Sequence, residues 1–111
     1  RLLKKDTIFA ERVNGEFQLR RGFSIKPKQK VLIIEDVITT GKSSLECSKL
    51  VEDNKGLIVG YACIIDRTTT NLSINDKIVS QIKLNIPTYT KENLPKNLSA
   101  IKAVKPGSRN L

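Results

Sequence analysis

The sequence predicts an α/β fold built on a parallel sheet, and three observations carry that reading. Val31-Leu32-Ile33-Ile34 is an unbroken apolar run rich in β-branched residues, the pattern of a strand buried on both faces. Residues 42–54 show helical spacing, and Leu57–Ile65 form a second apolar run. Strand, helix and strand in that order make a βαβ unit, which implies parallel strands and a right-handed crossover.

The elements follow in order. Thr7–Val13 reads as a strand, and Glu16–Arg20 alternates as its return. Asn14-Gly15 between them is a two-residue hairpin signal, because a type I′ turn needs positive φ at both central positions. Arg21-Gly22 breaks the second strand, and Pro27 with its neighbouring lysines makes a loop. The run from Val31 ends abruptly at Glu35-Asp36, a loop covers 37–41, and the helix follows. Cys47, Leu50 and Val51 form its apolar stripe, opposite Glu46, Lys49, Glu52 and Asp53, while Leu45 falls outside the stripe. Asn54-Lys55-Gly56 stops the helix, with Gly56 expected in the left-handed conformation. The second apolar run ends in Asp66-Arg67. Lys77–Leu84 alternates imperfectly as a third strand, and the tail with Pro87, Pro95 and Pro106 reads as loop with a short helical turn.

Composition narrows the function. The 111 residues fit one domain or part of one. The chain has no His, which removes a Ser-His-Asp triad, a His general base and any His-ligated metal. Cys47 and Cys63 lack metal-ligand spacing and read as small buried hydrophobes in a reducing cytoplasm. Neither a signal peptide nor a membrane-spanning run is expected. Lys and Arg total 20 against 11 Asp and Glu, a net charge of +9. That charge is unevenly spread: residues 1–30 carry +6, residues 31–66 carry −3 and residues 67–111 carry +6. A basic nucleic-acid module would interleave such charge with aromatics. Only Phe9, Phe17, Phe23, Tyr61 and Tyr89 are present; the scattered lysines read as solvated surface, and a basic surface also suits a small, highly anionic ligand.

The chemistry concentrates at the end of the first buried strand. Thr39, Thr40 and Ser43 offer hydroxyls, Gly41 allows close backbone approach, and the helix beginning near Lys42 aims its free N–H groups at the loop. Gly41-Lys42-Ser43 suggests a nucleotide-triphosphate P-loop, but that motif needs Gly where Asp36 stands. Two carboxylates beside a phosphate cradle suit vicinal ribose hydroxyls, or a metal held partly through those hydroxyls. The site therefore reads as a binder of ribose 5-phosphate; the plainer alternative is an ordinary strand-to-helix turn with a Thr N-cap.

Glu35-Asp36-Val37-Ile38-Thr39-Thr40-Gly41-Lys42-Ser43 resembles the signature of type I phosphoribosyltransferases, which bind phosphoribosyl pyrophosphate. Phe9–Arg12, Leu19–Gly22, Asp66-Arg67, Ile86–Tyr89 and Lys105–Arg109 resemble the orotate branch of that superfamily. The resemblance implies a parallel-sheet, Rossmann-like type I fold. It also implies transfer of ribose 5-phosphate from phosphoribosyl pyrophosphate to orotate, with Mg²⁺, in pyrimidine synthesis. Glu35 and Asp36 would bind the ribose hydroxyls, Thr39 to Ser43 the 5′-phosphate, and Thr39 and Arg67 the orotate; no direct protein ligand to a metal is assigned. A planar guanidinium at Arg67 suits a carboxylate or a pyrimidine carbonyl edge; the alternative is a surface ion pair with Asp66.

Many relatives carry a mobile basic loop with a His that reaches the neighbouring subunit's pyrophosphate. Here the corresponding stretch is the hairpin around Asn14-Gly15, with Arg12, Arg20 and Arg21 as candidate cations. Asn93–Asn97 replaces a Cys pair found near the C-terminus of some relatives. Relatives are also longer. The expectation is that residues 1–111 are the C-terminal portion of a single domain whose N-terminal part is missing, and that Arg1-Leu2-Leu3 ends a helix. Such a portion would expose a sheet edge and apolar faces and be inactive alone. The complete enzyme would be a cytoplasmic homodimer acting on small molecules, without nucleic-acid or membrane partners. A purine-type phosphoribosyltransferase, or a regulator binding phosphoribosyl pyrophosphate without turnover, shares the same signature.

Overall fold

The computed structural model describes residues 4–69, 74, 76–102 and 104. The expected terminal helix at Arg1-Leu2-Leu3 and the Lys105–Arg109 stretch lie outside those residues. Strands β1 (Ala10–Val13) and β2 (Glu16–Leu19) form the antiparallel hairpin. Asn14 and Gly15 both have positive φ, 52° and 89°, as a type I′ turn requires. Strand β3 (Lys30–Ile38), helix α1 (Lys42–Asp53), strand β4 (Leu57–Asp66) and strand β5 (Ile78–Lys83) follow. The order β3-β4-β5 is parallel throughout, so the α/β expectation holds. A single 3-10 turn (Lys91–Asn93) and the four-residue helix α2 (Lys96–Ser99) supply the only regular structure among the described residues of the tail. No helix of the described residues is long and apolar enough to cross a membrane.

The strand does not stop at the carboxylates, as the sequence suggests. β3 runs through Glu35-Asp36 to Ile38, because its pairing with β4 continues through Glu35 opposite Cys63, Val37 opposite Ile65 and Ile38 opposite Asp66. The apolar run is also buried on one face only. Ile33, Tyr61 and Cys63 pack in the core with Ile38 and Ile74, and the partly buried Leu45, Cys47, Ile58 and Ile78 surround them. Registered partners Ile34, Ala62 and Val79 share the opposite face, where Ile34 is 66% and Val79 59% exposed. Leu32 and Ile64 stand two residues away on the same face and are also exposed. A parallel sheet ordinarily has both faces covered, and here α1 covers one.

Helix α1 meets the sheet through two serines as well as through Val51 and the partly buried Cys47 of the expected stripe. Its buried residues are Ser44, Ser48 and Val51. Small side chains at i and i+4 let the helix sit close, and Tyr61 fills the space from β4. The Tyr61 hydroxyl and the Ser48 hydroxyl share a 2.6 Å hydrogen bond, and Ser48 lies 2.9 Å from the Ser44 carbonyl. These contacts satisfy the polar groups that this face buries. Leu45, which the stripe left out, packs at the edge of the core.

The helix ends one residue earlier in its logic than predicted. Lys55, not Gly56, holds the left-handed conformation at φ 60°. Lys55 N–H donates to Glu52 O at 2.7 Å and Gly56 N–H to Val51 O at 2.9 Å, the paired bonds of a Schellman motif. Gly56 is required by space: a Cβ there would lie 2.8 Å from Val51 Cγ1 and 2.9 Å from Ile25 Cγ2.

Asp66 ties the strand ends together. It is the last residue of β4 and only 6% exposed. Its carboxylate accepts the Thr68 N–H at 2.8 Å and faces the Lys83 ammonium, the last residue of β5, at 3.5 Å. Its carbonyl accepts the Leu84 N–H at 2.8 Å. Burial pushes the carboxyl up, but the Thr68 hydrogen bonds and the Lys83 charge outweigh it and hold the group below its ordinary 3.8. Such a group stabilises the fold above its unfolded value and loses that contribution as pH falls through the folded one.

Two stability predictions follow from these contacts, both for the full-length protein. Gly56→Ala overpacks the helix stop and should cost about 1–3 kcal/mol in denaturant melting; an unchanged midpoint contradicts the packing account. Asp66→Asn should melt below the parent at neutral pH, with the gap closing as pH drops below 3.8; a gap independent of pH contradicts the ionised role of Asp66.

Candidate functional site

The β3–α1 connection is short because the strand runs so far. Thr39, Thr40 and Gly41 alone separate Ile38 from Lys42. Gly41 caps the helix at φ 78°, a left-handed position that costs an L-residue about 1–2 kcal/mol, so glycine suits this turn best. The Thr N-cap of the plainer reading is absent, since no side chain caps α1. The first intrahelical bond runs from Leu45 N–H to Gly41 O at 2.9 Å, and Thr40 Oγ1 lies a long 3.4 Å from Lys42 N. The opening amides of α1 therefore keep their donor capacity at the positive end of the helix dipole. Thr39, Thr40, Lys42 and Ser43 are exposed around the buried Gly41. A shallow depression lined by Thr40, Lys42, Leu45, Glu46 and Lys49 runs along the start of the helix. Free amides at a helix start are a geometry in which an anion can be held.

The two carboxylates do not converge. Consecutive strand residues point to opposite faces, so Glu35 lies on the α1 side with Ile33 while Asp36 lies on the uncovered side. Electrostatics agree with that placement. Burial, then the Asp36 charge, pushes the Glu35 carboxyl up. Burial pushes the Cys47 thiol up, and Glu35 and Glu46 add to it. Cys63 is raised in the same way, by burial first, with Asp66 and Glu35 contributing. Glu35 thus sits near both thiols, between sheet and helix. Both cysteines are free, Cys63 buried and Cys47 half-buried. Asp36 is exposed, and its carboxylate accepts the Val37 N–H at 2.7 Å. Among the described residues no three His, Cys, Asp or Glu side chains gather as a metal cage.

Arg67 lies at the end of β4, next to the turn after β3. Its N–H donates to Ile38 O at 2.8 Å, the carbonyl that precedes Thr39. Its Nε is buried with no hydrogen-bond partner among the described residues. The alternative pairing of Arg67 with Asp66 is not formed, because Asp66 faces Lys83. A buried guanidinium N–H without an acceptor is costly, which marks this position as a donor suited to an acceptor group.

The hairpin arginines each face a carboxylate of this chain. Arg12 pairs with Glu46 of α1, stacks 4.2 Å from the Phe17 ring and donates to Gly15 O at 2.6 Å. Arg20 and Arg21 share Glu11 at 3.4 and 2.8 Å, and Arg21 also covers the Phe9 ring at 5.1 Å. The Arg12–Glu46 pair fastens the hairpin to α1 one turn beyond Lys42. Sequence reasoning named the three arginines but not their partners. It also missed Lys83, whose role depends on the register of β5 against β4. Asp66 did carry a local signal: Asp at a strand end favours an Asx turn to the backbone two residues on.

No family model matches the chain. Curated sequences do. The chain is 48% identical to an orotate phosphoribosyltransferase of Rhizorhabdus wittichii over 109 residues, 98% of this chain and 56% of that protein. It is 43% identical, with the same coverage of both chains, to an orotate phosphoribosyltransferase of Novosphingobium aromaticivorans. Among solved structures it resembles an adenine phosphoribosyltransferase of Thermoanaerobacter pseudethanolicus, with TM-score 0.52 and 20% identity, over 72% of this chain and 49% of that one. The structural likeness concerns the fold, and it meets the expectation of a type I phosphoribosyltransferase sheet. The chain spans about half the length of the curated relatives it matches. Along nearly its whole length, then, this chain is similar to curated orotate phosphoribosyltransferases.

Proposed function

We propose that the full-length protein transfers ribose 5-phosphate from phosphoribosyl pyrophosphate to orotate, giving orotidine 5′-monophosphate and pyrophosphate. The observation that supports this best is the junction of two strand ends, where the Arg67 N–H bonds the carbonyl just before the Thr39–Ser43 turn. A turn with free helix-start amides and a guanidinium whose Nε has no partner among the described residues stand side by side. A ligand with a phosphate at one end and a planar, acceptor-bearing ring at the other fits that spacing of chemistries.

In this reading the backbone amides of residues 39–43, with the hydroxyls of Thr39, Thr40 and Ser43, hold the 5′-phosphate, and the Lys42 charge adds to the field. Asp36, the open carboxylate, accepts from a ribose hydroxyl; Glu35 supports the same segment from the helix side and reaches ribose only if it turns outward. Arg67 and the Thr39 hydroxyl orient orotate. The bond from C1′ to pyrophosphate breaks and a bond from C1′ to the ring nitrogen forms, through an oxocarbenium-like centre, and the proton of that ring N–H passes to the departing pyrophosphate or to water. The protein contributes positioning and charge stabilisation rather than a nucleophile.

Mg²⁺ fits the donor set. That ion keeps several waters and takes one or two carboxylates beside substrate oxygens, which Asp36 and the ribose and pyrophosphate oxygens provide. When bound, it offsets the charge that develops on pyrophosphate. Arg12, Arg20 and Arg21 are the cations for that pyrophosphate. Their present ion pairs are surface pairs worth about 0–1 kcal/mol each, so a polyanion displaces the carboxylates at little cost. The resemblance also supports a homodimer in the cytoplasm.

The test uses full-length protein with phosphoribosyl pyrophosphate and Mg²⁺, measuring pyrophosphate release with orotate, adenine, hypoxanthine and xanthine. Release with orotate alone is expected. Release with a purine but not orotate rejects the reading in favour of a purine-type enzyme, and binding without release favours a regulator. Asp36→Asn should abolish most of the Mg²⁺-dependent thermal shift given by phosphoribosyl pyrophosphate; a parental shift removes Asp36 from the ribose site.

A further inference from the structure

Arg67 is fixed by its neighbours more firmly than by its own side chain. On one side its N–H is bound to Ile38 O at 2.8 Å, the last residue of β3. On the other side the Asp66 carboxylate accepts the Thr68 N–H at 2.8 Å, closing an Asx turn directly around Arg67. The carboxylate itself is held from β5, by Lys83 Nζ at 3.5 Å. Next to that pair, the Asp66 carbonyl accepts the Leu84 N–H at 2.8 Å. Three strand ends therefore meet at one residue, and Arg67 is the side chain they leave to be aimed.

We infer that Asp66 and Lys83 are positioning residues for the base site: the Lys83-anchored Asx turn of Asp66 sets the direction of the Arg67 guanidinium. The inference rests on the proposed orotate reading and assigns the orientation of its base-binding cation to a buried carboxylate and to a lysine on a different strand. Neither touches the base. Asp66 is buried beneath the turn, while the Lys83 side chain is 72% exposed and lies beside a shallow depression lined by Thr68, Thr69, Leu84 and Asn85. Lys83 acts through the carboxylate it anchors. Two consequences separate positioning from a general structural role. Base affinity must fall while affinity for phosphoribosyl pyrophosphate does not, since the 39–43 turn is built from β3 and α1. The effect must also appear in a variant whose altered side chain is exposed, so that no core packing is removed.

Lys83→Met meets the second condition and Asp66→Ala gives the larger perturbation. In full-length protein, binding of orotate in the presence of pyrophosphate and binding of phosphoribosyl pyrophosphate are titrated separately, with Arg67→Ala alongside. A misaimed guanidinium predicts orotate binding weakened about 10-fold in Asp66→Ala, and measurably but less in Lys83→Met, with unchanged phosphoribosyl pyrophosphate binding in both. If Asp66→Ala does not fold, Lys83→Met decides. Parental orotate binding in Lys83→Met, or equal loss of both ligands, overturns the inference. If Arg67→Ala weakens orotate binding while both other variants match the parent, the orotate reading stands and the positioning role falls. Absence of orotate binding in the parent protein overturns both.

Discussion

The register of β3 against β4 is the constraint on which the site depends. Pairing runs from Lys30 opposite Leu57 to Ile38 opposite Asp66, with one shift between Val31 and Leu32. That alignment brings the two strands to an end side by side. The turn after β3 and Arg67 after β4 become neighbours, joined by the Arg67 N–H to Ile38 O bond. A register slip of one residue would reverse which face each side chain occupies, exchanging Glu35 and Asp36 between helix side and open side. Ligands of open α/β sheets bind beyond the carboxyl ends of the strands, and among the described residues the buried Arg67 Nε without a hydrogen-bond partner lies at such an end.

What holds the register is divided between two ends of the unit. At the far end, the Schellman stop and the close approach of Gly56 to Val51 and Ile25 set where β4 begins. At the near end, Asp66 links β4 to β5 through Lys83 and Leu84. Between them, α1 is pressed on the sheet by a serine face and the Ser48–Tyr61 hydrogen bond. The opposite face of the sheet, with Leu32, Ile34, Ile64 and Val79, gains nothing from this packing. Stability and binding are accordingly properties to be measured on the full-length protein. The hairpin lies against α1 through β2, and the Arg12–Glu46 surface ion pair between them is of small worth.

The βαβ order, the hairpin turn and the short glycine turn into α1 were legible because each has a local cause: apolar runs, a dipeptide turn and a glycine before a helical pattern. Three things were not, or only in part. The extent of β3 was hidden because polar residues at a strand end look like a loop until their pairing partners are known. The buried face of α1 was legible only in part: Val51 and Cys47 lie where expected, but Ser44 and Ser48 read as polar, and only the depth of Tyr61 on β4 makes small residues the right choice there. The left-handed position went to Lys55 rather than Gly56 because the stop obeys hydrogen-bond geometry first, while the glycine answers to packing from Ile25, a residue far away in sequence. For the site, the adjacency of Glu35 and Asp36 in sequence suggested a convergent pair, whereas strand alternation separates them. Asp36 remains the open carboxylate, and Glu35 takes on the burial and the raised pKa.

The central claim is spatial: phosphate at the Thr39–Ser43 turn and pyrimidine at Arg67, at adjoining strand ends. A crystal structure of the full-length protein with orotidine 5′-monophosphate tests it most directly. The account predicts the phosphate oxygens on the amides of residues 39–43, a ribose hydroxyl on Asp36, and an acceptor of the pyrimidine on the Arg67 guanidinium. A nucleotide bound elsewhere, or seated with its base on the turn and its phosphate on Arg67, contradicts it.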